Sequence, residues 1–401
     1  MNDIQQTARL AVDIGGTFTD VALERGDEMI TTKVLTTPRR PEEGVLAGIA
    51  KVMDQAQATP GEIGLIIHGT TLATNALIER KGAKTALITT EGLRDSLEMA
   101  YENRFAQYDI QIDRPEPLVP RHLRWPVRER LNAQGRALIP LDEASVEALL
   151  PRIAEEGIES IAIGLLHSYA NPVHERRVAE IIAAAALDVS ITLSSEVCPE
   201  IREYERQSTA AANAYVRPLM ARYLTRLESA LREKGYRCPF LLMTSGGGLT
   251  DFATAVKFPI RLVESGPAGG AILASRIAAE CALDQVLSFD MGGTTAKICL
   301  IDDAEPLTSR TFEVARVYRF LKGSGLPVRI PAIEMVEIGA GGGSIAWIDS
   351  LKRINVGPES AGSEPGPACY DRGGSEPTVT DADVVLGRTD PATCAGGAVP
   401  L

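Results

Sequence analysis

Two stretches of this sequence carry the same acidic, glycine-rich motif. Residues 12–23 read VDIGGTFTDVAL and residues 289–300 read FDMGGTTAKICL, so that Asp13 in the first copy corresponds to Asp290 in the second. Glycine lets backbone N–H groups approach an anion closely, threonine hydroxyls add hydrogen-bond donors, and an aspartate at a strand end can hold a metal ion. Each copy therefore has the residues needed to contact a phosphate group and its metal counter-ion.

A single copy of the motif has a simpler explanation, because tight hairpin turns favour glycine for their geometry alone. The repetition favours a functional interpretation, since two such hairpins facing each other would contact a nucleotide triphosphate from both sides. The pair resembles the phosphate-1 and phosphate-2 hairpins of the ATPase fold shared by actin, sugar kinases and heat-shock chaperone ATPases. That resemblance implies an actin-like fold in which two related α/β lobes close on ATP.

The remaining pattern is typical of an α/β protein, because strand-like and helix-like stretches alternate along the chain. Small residues at 264–275 (ESGPAGGAILAS) predict a closely packed helix that leads into the second hairpin and resembles an interdomain connecting helix. We expect residues 1–195 to form the lobe with the first hairpin. Residues 196–401 are expected to form the second lobe, with connecting helices within 200–280 and the second hairpin at 286–301.

Charge and cysteine content narrow the class of protein. The chain has 401 residues, enough for at least two domains, and its net charge of −12 disfavours nonspecific binding to nucleic acid. The six cysteines form no Cys-x-x-Cys pair, so neither a zinc site nor a disulfide framework is predicted. No signal peptide or membrane-spanning stretch is evident, and we expect a cytoplasmic protein that binds no membrane.

One histidine lies where it could take part in chemistry. His68 directly follows a predicted strand at 65–67 and precedes a helix that begins at Thr70 or Thr71. Because a helix N-terminus offers amide donors to an anion, His68 is a candidate catalytic residue that would contact a phosphate or an oxyanion. The alternative is a buried histidine bonded to the backbone, and the sequence leaves both open.

Beyond the hairpins, the chain resembles the hydantoinase/oxoprolinase alpha subunits, which are related to acetone carboxylase subunits. The segments that carry the resemblance follow one another along the whole chain: DIGGTFTD at 13–20, HGTTLATNA at 68–76, EYER at 203–206, NAY at 213–215, TSGGG at 244–248, GAGGGS at 339–344, VGPESAG at 356–362, PGPACY at 365–370 and PTVTDA at 377–382. The resemblance implies ATP-dependent hydrolysis of a cyclic amide such as a hydantoin or 5-oxoproline. Such an enzyme phosphorylates the amide carbonyl oxygen and acts with a hydantoinase B-like beta subunit.

Residue roles follow from position in the motifs. We expect Asp13 and Asp290 to be catalytic and to hold Mg²⁺, directly or through water. The expected phosphate contacts come from both turns: Gly15, Gly16, Thr17, Thr19, Gly292, Gly293, Thr294 and Thr295. Lys297, which replaces Asp20 in the second copy, either neutralises phosphate or lies exposed on its strand.

The end of the sequence departs from the family pattern. The glycine-rich adenosine loop of the family is absent after the second hairpin, and we expect a second lobe that is truncated at its C-terminus and exposes apolar surface. Residues 339–344 are interpreted as a turn of the second lobe. Three functions remain open at this point: a cyclic amidohydrolase subunit, an ATP-dependent ketone carboxylase subunit, and a catalytically incomplete fragment.

Overall fold

The computed structural model describes residues 7–391 except Thr17, Pro38, Asn103, Thr294, 317–320 and 363–364. A six-stranded sheet is built around the first hairpin. Its strands are β1 (Ala8–Ile14), β2 (Phe18–Arg25), β3 (Glu28–Leu35), β4 (Ile63–Thr70), β11 (Phe240–Met243) and β12 (Leu249–Asp251). Their order is β12-β11-β4-β1-β2-β3, with β1, β4 and β11 parallel and the other neighbours antiparallel. Parallel pairing of β1 with β4 brings the ends of both strands to the same edge.

A second sheet is entirely parallel. It has the order β10-β9-β5-β6 and contains β5 (Thr85–Thr90), β6 (Arg124–Val127), β9 (Ser160–Gly164) and β10 (Ser190–Leu193). Every residue of β5 and β9 is buried, as expected where both faces of a parallel sheet are covered. Together the two sheets confirm an α/β fold.

The second hairpin forms a third, smaller sheet. Strands β13 (Gln285–Met291) and β14 (Ala296–Asp302) pair antiparallel, and β15 (Glu305–Pro306) and β20 (Val336–Ile338) both pair with β14. The remaining strands form two-stranded pairs: β7 (Arg130–Leu131) with β8 (Ala137–Ile139), β16 (Thr308–Ser309) with β19 (Ala332–Ile333), β17 (Phe312–Val314) with β18 (Leu326–Val328), and β21 (Ser344–Ile348) with β22 (Ile354–Ser360).

The described helices are α1 (Pro41–Gln55), α2 (Leu72–Ile78), α3 (Ser96–Met99), α4 (Glu143–Glu147), α5 (Leu150–Glu155), α6 (Val173–Ala184), α7 (Ser194–Val197), α8 (Glu203–Glu233), α9 (Phe252–Lys257), α10 (Ser265–Glu280) and α11 (Val379–Val385). The sequence pattern predicts an interruption of the helix near Pro218. In the structure α8 is a single helix of 31 residues that contains Pro218. The helix packs against α1, α2, β9 and β10, and this burial outweighs the hydrogen bond lost at proline. Within the described ranges, no helix combines the length and apolar character that crossing a bilayer requires.

Some elements that follow residue 195 pack with or join the first two sheets. Strands β11 and β12 lie in the first sheet, and α8 packs on the second sheet, although all three follow that residue. Parallel strands need crossover connections, so a later segment of the chain returns to the first sheet and β11 pairs parallel with β4. Among the described residues, the β17–β18 pair also packs against α8 and α2.

The two hairpins differ in how their apolar faces are covered. In the first, Leu10, Val12, Ile14, Val21 and Leu23 are 0–3% exposed, and α1 packs on that hairpin. Four of the five corresponding residues of the second hairpin are open, since Leu287, Phe289, Met291 and Leu300 are 40–58% exposed, and the fifth, Ile298, is half-buried. The apolar surface expected from the sequence is therefore present on the face of β13 and β14.

Candidate functional site

Asp13 lies where three elements meet. It is close to the end of β1, beside Gly69 at the end of β4 and Gly266 at the start of α10. A Cβ atom at Gly69 would stand 2.6 Å from Asp13 Oδ1, and one at Gly266 would stand 3.3 Å from Asp13 Oδ2. The two glycines thus provide the space that the carboxylate occupies.

The electrostatic environment of Asp13 disfavours its ionised form. Solvent reaches the side chain, yet partial burial raises its pKa, and the negative charges of Asp20 and Asp290 raise it further. Lys33 acts in the opposite direction and also donates a hydrogen bond of 2.7 Å to Asp20 Oδ2. The charge of Asp290, the equivalent aspartate of the second hairpin, thus acts on Asp13.

Hydrogen bonds on its buried side stabilise the turn of the first hairpin. Gly15 N–H donates to Phe18 O at 2.9 Å, and the Thr36 hydroxyl donates to Gly15 O at 3.0 Å. The fully buried Thr19 hydroxyl is 3.0 Å from the Thr36 hydroxyl, so Thr19 lies behind the turn rather than in the open cleft. Gly16 is exposed at the tip, whereas Thr17 lies outside the described residues.

Helix α2 begins against the same turn. Both the backbone N–H and the hydroxyl of Thr71 donate to Ile14 O, at 3.1 and 3.0 Å. The Asn75 amide nitrogen is 3.7 Å from the position of a Cβ on Gly16, which places a donor next to the exposed tip. Sequence reasoning missed Thr36 and Asn75 as site residues, although Asn75 lies within the HGTTLATNA segment.

The turn of the second hairpin is held by a glycine loop. Gly292 N–H donates to Thr295 O at 2.9 Å, and Gly292 and Gly293 are exposed. Residues 341–343 dock on this turn, because Gly342 N–H donates to Gly292 O at 2.9 Å and Gly343 N–H donates to Gly293 O at 2.7 Å. Thr294 lies outside the described residues. The segment 339–344 is therefore a direct support of the second hairpin.

A charged cluster joins the second hairpin to the first sheet. Lys297, which faces Asp290 in the β13–β14 register, forms an ion pair with Glu264, the residue that precedes α10. Glu337 faces Lys297 from β20, and burial raises the pKa of Glu337. Ser265, which follows Glu264 in the chain, donates a 3.1 Å hydrogen bond to Thr70 O and accepts one of 3.1 Å from Thr70 N–H. Lys297 is thus half-buried and paired rather than free on the outgoing strand.

His68 lies in the interior, away from the exposed tips of the turns. Its Nδ1 is 3.2 Å from Val12 O and its Nε2 is 2.7 Å from the Tyr223 hydroxyl of α8, so both ring nitrogens are engaged. Burial lowers its pKa to about 4, which keeps the imidazole neutral at pH 7. This geometry matches a buried histidine bonded to the backbone and gives no support to a phosphate contact.

The donor set suits a magnesium ion. Asp13 and Asp290 offer carboxylate oxygens, which Mg²⁺ prefers, and its remaining positions are ordinarily filled by water and phosphate oxygens. Among the described residues no group of three or more histidine, cysteine, aspartate and glutamate side chains forms a closed metal cage. An open groove of about 590 Å³ runs beside Asp13, Asp20, Gly69, Gly266 and Gly269.

Comparisons with known proteins identify the family of this chain. Residues 9–186 match the model of the hydantoinase/oxoprolinase N-terminal region, and residues 206–401 match that of hydantoinase/oxoprolinase. The chain is 38% identical to the caprolactamase alpha subunit of Pseudomonas jessenii over 99% of its length and 57% of that protein. It is 36% identical to the acetophenone carboxylase gamma subunit of Aromatoleum aromaticum over 97% of its length and 54% of that protein.

Two solved structures share the fold. The ATP-dependent caprolactamase from Pseudomonas jessenii superposes with a TM-score of 0.81 at 36% identity, covering 95% of this chain and 55% of that one. A nucleotide-free acetone carboxylase superposes with a TM-score of 0.81 at 28% identity, covering 98% of this chain and 56% of that one. The chain thus spans little more than half the length of these relatives. The two family matches together run through nearly all of its residues, and the chain belongs to the hydantoinase/oxoprolinase family.

Proposed function

We propose that the two hairpins form one ATP–Mg²⁺ site within an actin-like, duplicated pair of lobes. The observation that carries the proposal is the electrostatic coupling of Asp13 and Asp290, which occupy the same position in the two motif copies. Two facing carboxylates destabilise one another, and a divalent cation between them relieves the repulsion. The ATP-dependent relatives support the same cosubstrate.

Each group has a defined task in this proposal. Asp13 and Asp290 hold Mg²⁺, which neutralises phosphate oxygens when bound. The turns at Gly15, Gly16, Gly292 and Gly293 offer backbone N–H groups to the phosphates, with Thr17, Thr294 and Thr295 as hydroxyl donors. Thr19 braces the first turn through Thr36. Phosphoryl transfer depends mainly on such positioning and charge neutralisation.

The proposed reaction is ATP-dependent opening of a cyclic amide. The amide carbonyl oxygen attacks the γ-phosphorus, the bond to the ADP oxygen breaks, and an O-phosphorylated amide forms. Water adds to its carbon, and collapse of the adduct breaks the C–N bond, with the ring nitrogen taking a proton. Water then attacks the carbon of the resulting acyl phosphate and releases phosphate that contains the original carbonyl oxygen.

We also propose that catalysis requires a second, beta-type subunit. The relatives are named as subunits of caprolactamase and of carboxylases, which supports a hetero-oligomeric assembly. The described cleft supplies groups for phosphates and metal, and its carboxylates at Asp13 and Asp290 are assigned to Mg²⁺. A base for water attack on the amide carbon is therefore expected from the partner.

An oxygen-isotope experiment tests the reaction. The protein purified from its source cells with co-purifying subunits is incubated with ATP, Mg²⁺ and a lactam labelled with ¹⁸O at the carbonyl. We expect one ¹⁸O atom in the released phosphate, detected by its ³¹P isotope shift. Turnover that yields only unlabelled phosphate would contradict phosphorylation of the carbonyl oxygen.

A second candidate is ATP-dependent carboxylation of a ketone, favoured by the 36% identity to an acetophenone carboxylase subunit. In that reaction an enolate oxygen and bicarbonate would be phosphorylated instead of an amide. Dependence of ATP turnover on bicarbonate separates the two reactions, because opening of a lactam requires none. Turnover with a ketone and bicarbonate, and none with lactams, would favour the carboxylase.

A further inference from the structure

The start of α10, residues 264–266, is bonded to the first sheet and to α2. The backbone N–H of Glu264 donates a hydrogen bond of 3.1 Å to the Thr74 hydroxyl of α2. The serine at the second position exchanges two hydrogen bonds with the backbone of Thr70, at the end of β4. The glycine at the third position lies beside the Asp13 carboxylate. This segment is therefore fixed next to the proposed metal ligand of the first hairpin.

The second hairpin reaches the same segment through Lys297. Its ammonium group forms an ion pair with Glu264, and the two side chains are only 17% and 14% exposed. Asp290 of β13 and Glu337 of β20 lie directly opposite Lys297 of β14. Because directly opposite residues of antiparallel strands project from the same face of a sheet, the lysine stands in one row with both carboxylates. The ion pair thus joins the strands that carry Asp290 to the segment beside Asp13.

The other contacts between α10 and the second hairpin give little directional control near Asp13. Their apolar contacts come from Ala268, Ala271 and Ala278 of α10 and from Cys299 and Ile301 of β14. Dispersion contacts of such small side chains are not directional, and packed elements can slide past one another by shear. Ser275 donates a hydrogen bond to Ala304 O, but that contact lies farther along α10, in the turn between β14 and β15. The ion pair is therefore the directional contact at the end of α10 beside Asp13.

The backbone of Glu264 has an unusual conformation for a residue with a side chain. Its φ is +60° and its ψ is +26°, which is the left-handed region that glycine adopts most easily. Such a conformation persists where the surrounding contacts hold it, and strained residues of this kind cluster at functional sites. Here the contacts are the hydrogen bond to Thr74 and the ion pair with Lys297. The position thus carries a carboxylate where the backbone geometry alone would favour glycine.

We propose that the Glu264–Lys297 ion pair fixes the position of the second hairpin relative to Asp13, so that Glu264 is a positioning residue of the nucleotide site. This role rests on the proposed function, because Asp13 and Asp290 can hold one Mg²⁺ ion only at a defined separation. Loss of the Glu264 charge lets the second hairpin shift along the small side chains of α10. The affinity for Mg-ATP then falls, although neither Glu264 nor its backbone contacts the metal.

The test measures the separation of the hairpins without nucleotide, by pulsed electron spin resonance. Spin-labelled non-natural residues replace Asp27 in the β2–β3 turn and Asp303 in the β14–β15 turn, both of which are exposed. We expect one narrow distance distribution in the otherwise unmodified chain and a distribution about twice as wide in Glu264→Gln. Lys297→Met should widen it as well, whereas Lys297→Arg, which keeps the positive charge, should leave it narrow.

Glu280→Gln is the matched control, because Glu280 is an exposed carboxylate of the same helix that pairs with Arg276 at 2.8 Å. It should leave the distance distribution unchanged. A Glu264→Gln distribution as narrow as that of the unmodified chain would overturn the inference. Equal widening by Lys297→Arg and Lys297→Met would also overturn it, because the charge of the lysine would then be irrelevant.

A parallel titration with Mg-ATP separates this inference from the proposed function. We expect Glu264→Gln to bind Mg-ATP about tenfold more weakly than the unmodified chain, and Glu280→Gln to bind it equally well. Nucleotide binding that Glu264→Gln leaves unchanged refutes the positioning role and leaves the two-hairpin site standing. A widened distribution in Glu264→Gln, in a folded chain that does not bind Mg-ATP, supports the ion pair as the contact that fixes the hairpin and refutes the nucleotide site. Circular dichroism of each variant establishes that it is folded.

Discussion

At Asp13 the chain concentrates negative charge in a recess made by two glycines. Burial and the charges of Asp20 and Asp290 raise the pKa of its carboxyl group, and only Lys33 opposes them. A carboxylate in this state gains more from a divalent cation than an isolated surface aspartate does. Its proton affinity is therefore a direct measure of the surrounding charges.

Two substitutions should move the pKa of Asp13 in opposite directions. Asp20→Asn removes a negative charge and frees Lys33, so it lowers that pKa; Lys33→Met removes the positive charge and raises it. Carbon-13 NMR titration of the carboxyl groups, with the Asp13 signal assigned from Asp13→Asn, gives the values. Asp27→Asn in the β2–β3 turn is the control, and an equal response to both substitutions would refute the charge assignment.

His68 should make stability depend on pH. Its folded pKa is about 4 and its ordinary value is 6.5, so below 6.5 the unfolded chain takes up a proton that the folded chain excludes. The contribution is complete above pH 6.5 and is lost as the pH falls towards 4, about 3 kcal/mol in all. Urea unfolding at several pH values should show a shallower decline for His68→Gln, which should still bind nucleotide. Curves of equal slope would contradict the neutral buried state.

The sequence was sufficient to identify the two aspartates as site residues, but it did not identify the residues that position the first hairpin and Asp13. Asp13 and Asp290 stand out because the motif repeats, and the repeat can be recognised in the amino-acid sequence alone. Thr36, Asn75 and Gly266 act through contacts between segments far apart in sequence, and none of them has a spacing that signals its role. His68 was ambiguous for the same reason, because its partner Tyr223 comes from α8.

Among the elements, the end of β4 decides where the Asp13 carboxylate can lie. A methyl group at Gly69 would stand 2.6 Å from Asp13 Oδ1, and the carboxylate, as the free end of a side chain, can rotate away. Gly69→Ala should therefore fold with little loss of stability while its affinity for Mg-ATP falls by tenfold to a hundredfold.

Gly61→Ala is the matched control, because a Cβ atom there meets no other atom within 4 Å. Calorimetric titration with Mg-ATP and thermal unfolding are measured on both variants. Equal affinities for Gly69→Ala and Gly61→Ala would show that the close approach of β4 does not position Asp13.

Local pattern predicted some elements well and others poorly. The helix after residue 264 follows from its small-residue pattern, and the structure has α10 there. Pro218 signalled a break that α8 does not have, since tertiary packing outweighs the local preference. The docking of 341–343 on the second turn depends on backbone hydrogen bonds that leave no pattern in the sequence.

On the scale of the whole molecule, the repeated hairpins occupy unequal environments. Val12 is 3% exposed and its counterpart Phe289 is 58% exposed. Val12→Ser should cost about 2–3 kcal/mol, whereas Phe289→Ser should change the free energy of unfolding by about 0.5 kcal/mol or less. Urea unfolding of this chain measures both costs, and Phe289→Ser should also reduce binding of a hydrophobic dye. Similar costs at the two positions would mean that the second face is covered.

The α/β fold class followed from the alternating strand-like and helix-like stretches, whereas the division of the chain at residue 195 stays a prediction. The return of β11 and β12 to the first sheet is a long-range pairing, and the linear order of motifs cannot reveal it. The relation between the two hairpins is likewise visible only in three dimensions, where Asp290 acts on Asp13. The proposal that Asp13 and Asp290 hold one Mg²⁺ ion depends on that relation.

Isothermal titration of the chain with Mg-ATP, beside Asp13→Asn, Asp290→Asn, the double variant and the Asp27→Asn control, tests that claim most directly. If both carboxylates hold one ion, each single variant should lose most of the affinity and the double variant little more, because the two effects are not additive. Asp27→Asn should bind as the unmodified chain does. A folded double variant that binds Mg-ATP with undiminished affinity would contradict a nucleotide site between the two hairpins.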